Sequence, residues 1–554
     1  MRKIYGHTAG LGAAYLKRVQ KLYRRRLPPQ AIITPELSRT LARLSYEAHR
    51  QIALLISRSG AIERIIIGND RSIFIPELPA SRGQRGRLRG IRCVHTHLDS
   101  EPLTEDDLMD LVFLRLDLMA ALEVDAHGGA RRLHGAHLLP QNVNGRGWML
   151  LEPIPAHTVT MDFLSLVQSL EAEFTRRQSL LAIRDGKDRA ILCSVTNSPR
   201  AEAEASMEEL AALARSSGIA VADRLIQRQR KANPKYLMGR GKLGELVLRA
   251  LQLGVDLLIF DQNLNPSQVR SITDFTELRV IDRTQLILDI FAQRAKTREG
   301  KIQVEMAQLK YMLPRLGVKD DALSRLTGGI GGRGPGETKL EINRRRVRER
   351  ISRLEIQLQQ VGRQRSQQRD LRLRSGLPII SIIGYTNAGK STLLNALTRS
   401  DVQVEDRLFA TLDPASRRLR FPSDREVIIT DTVGFIRDLP RDLMEAFKAT
   451  LEELQHADIL VHVVDISSPR YEEQMEAVDK ILAQLHLQLA PRVLVFNKAD
   501  LVEDKKYLQN LCDRHKAVAI SALYPKTLHV LVETLEKELR RRHTALSTRR
   551  ATAL

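Results

Sequence analysis

The segment Leu377–Thr392, LPIISIIGYTNAGKST, constrains the fold of this chain more than any other part of its sequence. An apolar, β-branched run ends in a glycine-containing loop, and a helical pattern begins directly after it. Gly384, four further residues and then Gly389, Lys390 and Ser391 form a P-loop pattern in the required strand–loop–helix context. Such a loop and its helix N-terminus surround phosphate oxygens. The segment therefore predicts a phosphate site in which Lys390 contacts the β- and γ-phosphates and Ser391 ligates Mg²⁺.

Two downstream segments match the switch regions of a nucleotide-dependent domain. Phe409–Asp413 lies in a predicted loop, where Thr411 is the candidate switch threonine, a second Mg²⁺ ligand that senses the γ-phosphate. The strand EVIITDTVGF places Asp431 where an acid holds Mg²⁺ through water, and Gly434 where a backbone N–H meets the γ-phosphate. Taken alone, these segments also fit an ordinary loop and an ordinary turn. Their order after the P-loop favours the switch interpretation.

The strand RVLVFNKAD ends in Asn497–Asp500, a quartet that predicts which base is bound. The Asp500 carboxylate accepts from both N1–H and the exocyclic amino group of guanine. Adenine lacks these donors and leaves the carboxylate unpaired, at a cost of ~1–3 kcal/mol per unsatisfied group. The aliphatic part of Lys498 lies along the base, and the backbone of Ser521–Leu523 contacts the guanine O6. A strand end with a polar turn is the alternative, but the preceding P-loop favours GTP as the substrate.

The predicted nucleotide site collects these segments into one set of residues. Its members are Gly384, Tyr385, Thr386, Asn387, Ala388, Gly389, Lys390, Ser391, Phe409, Ala410, Thr411, Leu412, Asp413, Asp431, Thr432, Val433, Gly434, Asn497, Lys498, Ala499, Asp500, Ser521, Ala522 and Leu523. Lys390, Thr411 and Gly434 are the predicted catalytic residues, and Ser391 and Thr411 are the predicted Mg²⁺ ligands. Phe435 stands where Ras-like enzymes place a water-orienting glutamine, so we expect slow intrinsic hydrolysis that needs a partner. Packing over the switch region is the alternative role of Phe435.

The size and charge of the chain predict several domains and a polyanionic partner. At 554 residues with 43% hydrophobic composition, the chain has room for about three or four domains. Its net charge of +21 and 4% aromatic content favour contacts to nucleic-acid phosphates, with a basic, solvated surface as the alternative. No run approaches the ~20 apolar residues of a membrane helix, and the N-terminus does not resemble a signal peptide. Cys93, Cys193 and Cys512 are scattered, which predicts no disulfide framework and favours a cytoplasmic location.

A basic helical arm is predicted upstream of the P-loop. Its apolar residues, spaced 7, 4, 3, 4 and 3 apart as in a heptad seam, are Leu340, Val347, Ile351, Leu354, Leu358 and Val361. The arginines between and beyond them are Arg344, Arg345, Arg346, Arg348, Arg350, Arg353, Arg363, Arg365, Arg369 and Arg372. A preceding helix over about 300–313 is expected to pair with this one antiparallel. The glycine-rich segment 328–339 between them forms a flexible tip or a phosphate cradle, and the basic helix favours an RNA-contacting tip.

Residues 189–295 alternate between apolar strands and helical patterns. The segments RAILCSV, VDLLIFDQ and ELRVID read as buried strands, and the segments between them read as helices. This alternation predicts a small doubly wound α/β unit. Gly239–Lys242 precedes one of its helices and fits either an anion site at the helix N-terminus or a helix entry with a surface lysine.

Three groups of motifs resemble those of the HflX GTPases. They are DRTQLILDIFAQRAKTREGKIQVEMAQLKYMLPRL, the glycine motif GGIGGRGPGETKLE, and GYTNAGKS with DTVGFIRDLP. The resemblance covers about residues 189–535 and departs mildly at Ile342–Arg345, where the family commonly has Asp-Arg-Arg. It implies a cytoplasmic, Mg²⁺-dependent GTPase that binds the large ribosomal subunit and acts in ribosome splitting, rescue or biogenesis under stress. Phenylalanine after DTVG is usual in this family. Some members also bind ATP through the N-terminal part, but this chain has no second P-loop.

The expected fold is an α/β multidomain architecture. Its predicted parts are an extra α+β N-terminal domain (1–185), a small α/β domain (186–295), the antiparallel, coiled-coil-like basic arm with its glycine-rich tip (296–374), a P-loop G domain (375–540) and a basic tail (541–554). We expect a monomer without stable membrane insertion. The alternative function is a nucleotide-gated RNA-binding or remodelling protein that does not act on the ribosome.

Residues 1–180 lie outside the HflX resemblance. In the segment RCVHTHLDSEPLTEDDL, His95 and His97 with Asp107 distantly resemble the metal ligands of JAMM-type metalloproteases. The spacing is one residue short, and Gln51 stands where that family places its catalytic glutamate. A degenerate, non-catalytic domain of that fold is therefore favoured over an active zinc protease. Two buried structural histidines are the leading alternative.

Overall fold

The chain folds into two compact units whose segments alternate along the sequence. The computed structural model describes residues 3–76, 78, 87–98, 101–143, 146–158, 161–182, 188–316, 339–374, 377–398, 416–432, 434–437, 444 and 452–551. The first unit comprises Met1–Glu204, Ala220–Phe260 and Ser267–Ile281, and the second comprises Ala205–Ile219, Asp261–Pro266 and Asp282–Leu554. Strands and helices occur in both units, which confirms the predicted α/β multidomain fold.

The first unit contains a mixed sheet formed by the N-terminal part of the chain. Its strands β1–β8 span Ile4–Gly6, Ile52–Ser57, Ile62–Ile67, Ile91–His97, Leu118–Val124, Ala130–Val143, Arg146–Leu150 and Ile154–Pro155. The order is β1-β3-β2-β4-β5-β6-β7, and β8 pairs with β6. Strands β2, β4 and β5 are almost continuously buried, which explains the largely apolar sequences of β2 and β5, whereas β4 also buries Arg92, His95 and His97.

Helices α1–α4 accompany this sheet. They span Ala13–Lys21, Pro35–Ala48, Glu105–Phe113 and Phe163–Ala182. Helix α2 begins after Thr34, whose side chain accepts a hydrogen bond from the backbone of Leu37. Helix α3 begins with a capping box in which Thr104 and Asp107 each bond the backbone of the other. These caps fix where both helices start.

A second, smaller sheet follows in the chain. Its strands β9–β12 span Arg189–Thr196, Ala220–Arg228, Leu257–Phe260 and Arg279–Asp282, in the order β10-β9-β11-β12. Helices α5–α9 span Arg200–Ser216, Arg240–Leu253, Pro266–Thr276, Arg283–Arg294 and Arg298–Met312. Strand β9 runs parallel to both β10 and β11, as a doubly wound unit requires. Strand β10 was not predicted; it lies at the sheet edge and buries only Leu225, so its apolar pattern is weak.

The long basic helix of the arm is present in the second unit. Helix α10 spans Lys339–Arg374 and packs against α9. Ile351 and Leu354 are its buried residues within the part whose side chains are described, and Arg350 pairs with Glu305 at 2.7 Å. Of the predicted glycine-rich tip, 328–339, residues 328–338 lie outside the described residues, and Lys339 begins α10. Among the described helices, none combines the length and the apolar character needed to cross a bilayer.

The C-terminal part of the second unit contains a largely parallel sheet. Its strands β13–β18 span Ile379–Gly384, Ser416–Arg420, Glu426–Asp431, Ile459–Asp465, Arg492–Asn497 and Val518–Ala519. The order is β14-β15-β13-β16-β17-β18, with β14 antiparallel to β15 and the other pairs parallel. Helices α11–α14 span Lys390–Thr398, Tyr471–Gln484, Lys505–His515 and Leu528–Ala551. Helix α14 continues into the segment that was predicted as a separate basic tail.

The core of this sheet explains where the P-loop lies. Ile380 and Ile382 of β13 pack with Leu393 and Leu394 of α11 in one buried cluster. Because β13 lies inside the sheet between β15 and β16, its carboxyl end is flanked by the carboxyl ends of both neighbours. Loops that follow adjacent parallel strands meet at this edge, which is where α/β sheets bind ligands.

A buried ion pair stabilises the N-terminal sheet. Arg58 donates to both oxygens of Asp117, at 2.6 and 2.9 Å, and also to Glu171 at 2.8 and 2.9 Å. The Asp117 side chain is completely buried and accepts a further bond from the backbone of Gly90 at 2.9 Å. A buried carboxylate with three donors leaves several groups unpaired when it is removed.

Asp117→Ala is therefore expected to lower the free energy of unfolding of the first unit by about 2–3 kcal/mol. This is below the ~3–5 kcal/mol typical of fully buried pairs, because Arg58 retains Glu171 and partial solvent contact. Denaturant unfolding followed by the fluorescence of Trp148, the single tryptophan, measures the change. Glu36→Gln removes an exposed partner of Arg25 and is the control, expected within about 0.5 kcal/mol of the parent. Equal effects of both substitutions would contradict the assignment.

Candidate nucleotide-binding site

The loop between β13 and α11 has a backbone that depends on two glycines. Gly384 has φ +150° and Gly389 has φ +89°, conformations that other residues rarely adopt. A Cβ atom on Gly384 would lie 2.2 Å from the Val463 carbonyl oxygen, and one on Gly389 would lie 2.3 Å from Asn497 Nδ2. The P-loop therefore packs directly against the ends of β16 and β17.

Lys390 and Ser391 begin helix α11 beside the end of β15. The Lys390 ammonium is buried and donates to the Tyr385 carbonyl oxygen at 2.8 Å. Burial lowers the pKa of Lys390 to about 8, and attraction to Asp431 opposes this shift. The Ser391 hydroxyl donates to Asp431 Oδ2 at 2.6 Å. A cation, a hydroxyl and a carboxylate thus meet at a helix N-terminus, whose dipole favours anions.

The segment after β15 lies against the P-loop. A Cβ atom on Gly434 would be 2.9 Å from Thr386 Cα and 3.0 Å from Lys390 Nζ, so only glycine allows this approach without a shift. Thr432 donates its hydroxyl to the Ile382 carbonyl oxygen at 2.7 Å. The Thr432 side chain is therefore hydrogen-bonded to strand β13, so only the Thr432 backbone is available to contact a nucleotide.

Part of the predicted site lies outside the described residues. This part comprises Phe409, Ala410, Thr411, Leu412, Asp413 and Val433. The catalytic and metal-binding roles of Thr411 therefore stay predictions.

Asn497 joins the P-loop to the loop after β18. Its Nδ2 donates to the Ala388 carbonyl oxygen at 2.8 Å, and its Oδ1 accepts from the backbone of Ala522 at 2.9 Å. The side chain is 2% exposed. The first residue of the predicted base-recognition quartet thus connects two loops of the site, a role that its position in the sequence motif did not reveal.

The other residues of the quartet lie at the end of β17. Lys498 has φ +60°, and its ammonium lies 2.7 Å from Asp465 Oδ2. Ala499 is half-buried, and Asp500 is exposed. The left-handed conformation of Lys498 turns the chain so that Asp500 lies beyond the strand end with its carboxylate open to solvent.

The loop after β18 contains the remaining predicted residues. Ser521 and Ala522 are buried, whereas the Leu523 side chain is 71% exposed. The Ala522 N–H is already hydrogen-bonded to Asn497. The Ser521 backbone donates to Thr527 Oγ1 at 3.0 Å, which closes the loop on itself.

Phe435 is buried, and its backbone contacts the P-loop. Its side chain is 2% exposed. Its backbone forms a bridge to the P-loop, with Thr386 N donating to Phe435 O at 2.7 Å and Phe435 N donating to Gly384 O at 3.1 Å. The residue after the DTVG motif is therefore fixed against the phosphate loop.

Tyr385 joins the P-loop to helix α5 through a contact that the sequence did not suggest. Its buried hydroxyl donates to the Glu209 carboxylate and accepts from the backbone of Arg437 at 2.9 Å. Burial and the neighbouring Glu209 charge raise the pKa of Tyr385, so the phenol stays protonated. The side chain of this P-loop residue thereby contacts both α5 and the segment after Gly434.

A network of charged and polar groups extends this contact to helix α8. Arg283 donates to Glu209 at 2.7 Å and to Asp261 at 2.8 Å. Ser206 donates to Asp261 at 2.6 Å and accepts from Arg437 at 2.6 Å. These residues are far apart in the sequence and belong to no local motif, so only the fold brings them together.

Three family models match consecutive parts of the chain. A model described as "GTP-binding GTPase N-terminal" matches residues 204–292, and one described as "GTP-binding GTPase Middle Region" matches residues 294–372. A third, described as "50S ribosome-binding GTPase", matches residues 379–498. GTPase HflX of Caldanaerobacter subterraneus subsp. tengcongensis is 48% identical over 353 residues, which cover 64% of this chain and 81% of that protein.

The chain belongs to the HflX family of GTPases. GTPase HflX of Escherichia coli is 44% identical over 320 residues, or 58% of this chain and 75% of that protein. A GTP-binding protein from Sulfolobus solfataricus, solved in complex with GDP, shares 24% identity over 64% of this chain and 99% of its own, with a TM-score of 0.36. Membership in the HflX family establishes GTP binding and GTP hydrolysis as activities of this chain.

Because Asn497 holds two loops together, its role in this HflX-family protein extends beyond nucleotide contact. Asn497→Ala leaves the Ala388 carbonyl and the Ala522 N–H without their partner, and we expect a loss of about 2–3 kcal/mol of stability. Thermal unfolding of nucleotide-free protein, followed by calorimetry, measures this loss in the G-domain transition. Gln509→Ala, which removes an exposed bond to Asp513, is the control and should leave that transition unchanged. If both variants unfold at the parent temperature, Asn497 does not stabilise the site.

Proposed function

We propose that this HflX-family GTPase uses the site around Lys390 to hydrolyse Mg²⁺-bound GTP and couples the nucleotide state to binding of the large ribosomal subunit. The observation that carries the proposal is the meeting of Lys390, Ser391 and Asp431 at the carboxyl edge of the sheet. The family model whose description names the 50S subunit matches the same residues. The domain boundaries predicted above are retained as part of this proposal, except that between 540 and 541, which helix α14 crosses.

The phosphate end of the site supplies positive charge. Lys390 is buried and has a lowered pKa, so a phosphate beside it restores a fully charged ammonium. That charge stabilises the β- and γ-phosphates and the charge that develops on them during in-line attack by water. The backbone N–H groups of the P-loop and of Gly434 add fixed dipoles around the same oxygens.

The donor set at Ser391 and Asp431 fits Mg²⁺. A hydroxyl and a carboxylate 2.6 Å apart offer the hard oxygen ligands that Mg²⁺ prefers. Ser391 would bind the ion directly, Asp431 would hold it through water, and Thr411 is proposed as the second direct ligand. When bound, Mg²⁺ neutralises charge on the phosphates.

The attacking water lacks an orienting side chain at the position after Gly434. Phe435 has no polar group, and its buried ring and bridged backbone hold it against the P-loop. We therefore propose that the ribosome supplies the missing orientation. The Tyr385–Glu209 contact gives a route by which a change at the P-loop reaches α5, and Arg283 extends that route to α8.

The proposal predicts that purified large ribosomal subunits raise the rate of GTP turnover, by at least ~10-fold if they contribute the missing water positioning. Phosphate release at saturating GTP, with and without subunits, measures the effect. Small subunits at the same concentration are the control. Absence of stimulation would refute the activation step, although not the nucleotide site itself.

Sedimentation of a lysate with a non-hydrolysable GTP analogue tests the partner independently. Co-migration with the large subunit supports the proposal. Migration with free RNA would instead support a nucleotide-gated RNA-binding protein that does not act on the ribosome. The same gradient run with GDP shows whether association depends on the γ-phosphate.

Base selection is assigned to Asp500, whose exposed carboxylate is open to a base. Asp500→Asn should weaken GTP binding roughly 100-fold and shift the preference towards xanthosine triphosphate, because xanthine offers a carbonyl where guanine offers an amino group. Competition between labelled GTP and each nucleotide measures the change. Asp504→Asn, a matched change at the N-cap of α13, should keep the parent preference. Full GTP affinity in Asp500→Asn would show that another group selects the base.

The basic helix α10 is proposed to contact RNA phosphates. Arg345 and Arg348 are exposed, and the 3.7 Å contact between Arg345 and Glu349 joins two side chains that are each more than half exposed. Changing both arginines to glutamine should lower the slope of log affinity against log salt by about one unit per lost phosphate contact. Basal GTP turnover should stay unchanged.

Ribosome affinity measured across a salt series tests this role of α10. Arg39→Gln with Arg43→Gln neutralises two exposed arginines on α2 and is the matched control. If the α10 double variant keeps the parent slope and affinity, these arginines only solvate the helix. Equal losses of ribosome affinity in both double variants would indicate that net charge, and not a specific contact of α10, determines binding.

A further inference from the structure

We propose that His95, His97 and Asp107 in the N-terminal sheet form a binding site for a divalent transition-metal ion of the zinc class. The two histidine Nε2 atoms lie 2.9 Å apart. His95 Nε2 is 3.1 Å from Asp107 Oδ1, and His97 Nε2 is 3.5 Å from Asp107 Oδ2. Three ligand atoms at such separations lie at the corners of a small triangle, as in a zinc coordination shell with bonds of ~2.0–2.2 Å.

The three side chains are buried together, and they offer more hydrogen-bond acceptors than donors to one another. His97 Nδ1 lies 3.1 Å from the Glu101 carbonyl oxygen, which only accepts, so the Nδ1 atom carries the proton. In a neutral His97 ring, Nε2 is then a bare lone pair that points at His95 and Asp107. One His95 Nε2–H faces both a bare imidazole nitrogen and a carboxylate. A metal ion in their midst binds both of these acceptors, and it also binds His95 Nε2 once the His95 proton lies on Nδ1, which has no hydrogen-bond partner among the described residues.

Neighbouring groups already orient two of the three ligands, His97 and Asp107. The bond from His97 to the Glu101 carbonyl fixes the tautomer that leaves Nε2 for a metal, as the outer-shell partners of metal-bound histidines do. Thr104 donates to Asp107 Oδ2 from its backbone at 2.8 Å and from its hydroxyl at 2.7 Å. These bonds hold the carboxylate in place and leave Oδ1 directed at His95.

The positions of β4 and α3 bring the three side chains together. His95 and His97 are two residues apart on β4, so both side chains lie on one face of the sheet. Asp107 lies in the first turn of α3, whose capping box sets its position. The cluster is therefore built on a strand and a helix N-terminus that are fixed by other interactions, which gives a preorganised site.

The donor chemistry selects the ion. Two imidazole nitrogens and one carboxylate suit Zn²⁺, Co²⁺ or Ni²⁺, whereas Mg²⁺ and Ca²⁺ prefer oxygen ligands alone. The proposed role is binding without peptide hydrolysis, because Gln51, which is buried where the sequence comparison placed a catalytic acid, carries an amide that is no general base. A bound ion would join β4 to α3 and stabilise the first unit.

A second histidine–carboxylate pair on the same sheet shows a different arrangement. His134 Nε2 lies 2.8 Å from Glu123 Oε1, which is an ordinary hydrogen bond between one donor and one acceptor. Among the described residues, His95, His97 and Asp107 are the group of three whose ligand atoms converge within 4.8 Å. The pair His134–Glu123 therefore provides a matched control within one sheet.

The full-length chain, stripped of metal by chelator and kept with excess Mg²⁺ and GDP, is titrated with Co²⁺ and then with Zn²⁺. We expect about one Co²⁺ per chain with visible absorption typical of low-coordinate cobalt, displaced by Zn²⁺. Zn²⁺ should also raise the unfolding temperature reported by Trp148 fluorescence. His97→Gln and Asp107→Asn should each weaken metal affinity by more than ~100-fold, since even outer-shell changes weaken it ~10–100-fold.

His134→Gln should retain the parent metal affinity. Should the ligand variants misfold, Thr104→Val keeps all three ligands but removes the hydroxyl bond to Asp107 Oδ2, and a loss of ~10–100-fold is expected. The proposal is overturned if the parent takes up no Co²⁺, or if the ligand variants bind as the parent does. It is also overturned if His134→Gln loses as much affinity as they do. GTP turnover is not the readout, so failure here leaves the proposed GTPase function intact.

Discussion

The side-chain amide of Asn497 is the interaction on which the nucleotide site depends. It bonds Ala388 of the P-loop and Ala522 of the loop after β18, and it packs so closely on Gly389 that no Cβ fits between them. The phosphate end and the base end of the site are therefore positioned by one buried group. This arrangement explains why an asparagine, which donates and accepts through one rigid plane, suits the first position of the quartet.

A second set of contacts connects the site to the helices that precede it. Tyr385 stands within the P-loop, yet its hydroxyl bonds Glu209 and the backbone of Arg437. Arg283 is held between Glu209 and Asp261, so the charges in this buried network compensate one another. A displacement at either the P-loop or the segment after Gly434 changes hydrogen bonds in the same network. Such a shared network is the physical element that the proposed coupling between nucleotide and ribosome binding requires.

The sequence allowed prediction of those features that repeat locally, and it failed where distant residues meet. The apolar run before Gly384 and the heptad seam of α10 identified a central strand and a long helix correctly, because burial leaves a period in the sequence. Strand β10 was missed since an edge strand with a single buried leucine has no such period. Tyr385 and Glu209 are 176 residues apart in the sequence. The bridging role of Asn497 depends on a contact with the loop after β18. Neither is encoded by spacing.

Histidine spacing alone did not distinguish a metal site from buried structural histidines, and the proposal of a metal site is based on the geometry of the donors. The proposal rests on two Nε2 atoms and a carboxylate that face one another, and on His97 Nδ1, which lies at hydrogen-bond distance from a carbonyl oxygen. The proposed Mg²⁺ site, by contrast, has oxygen donors only, with Ser391 and Thr411 as direct ligands and Asp431 holding the ion through water. If both proposals hold, nitrogen donors in one site and oxygen donors in the other would allow one chain to hold two different ions without competition, since ligand type separates zinc-class ions from Mg²⁺.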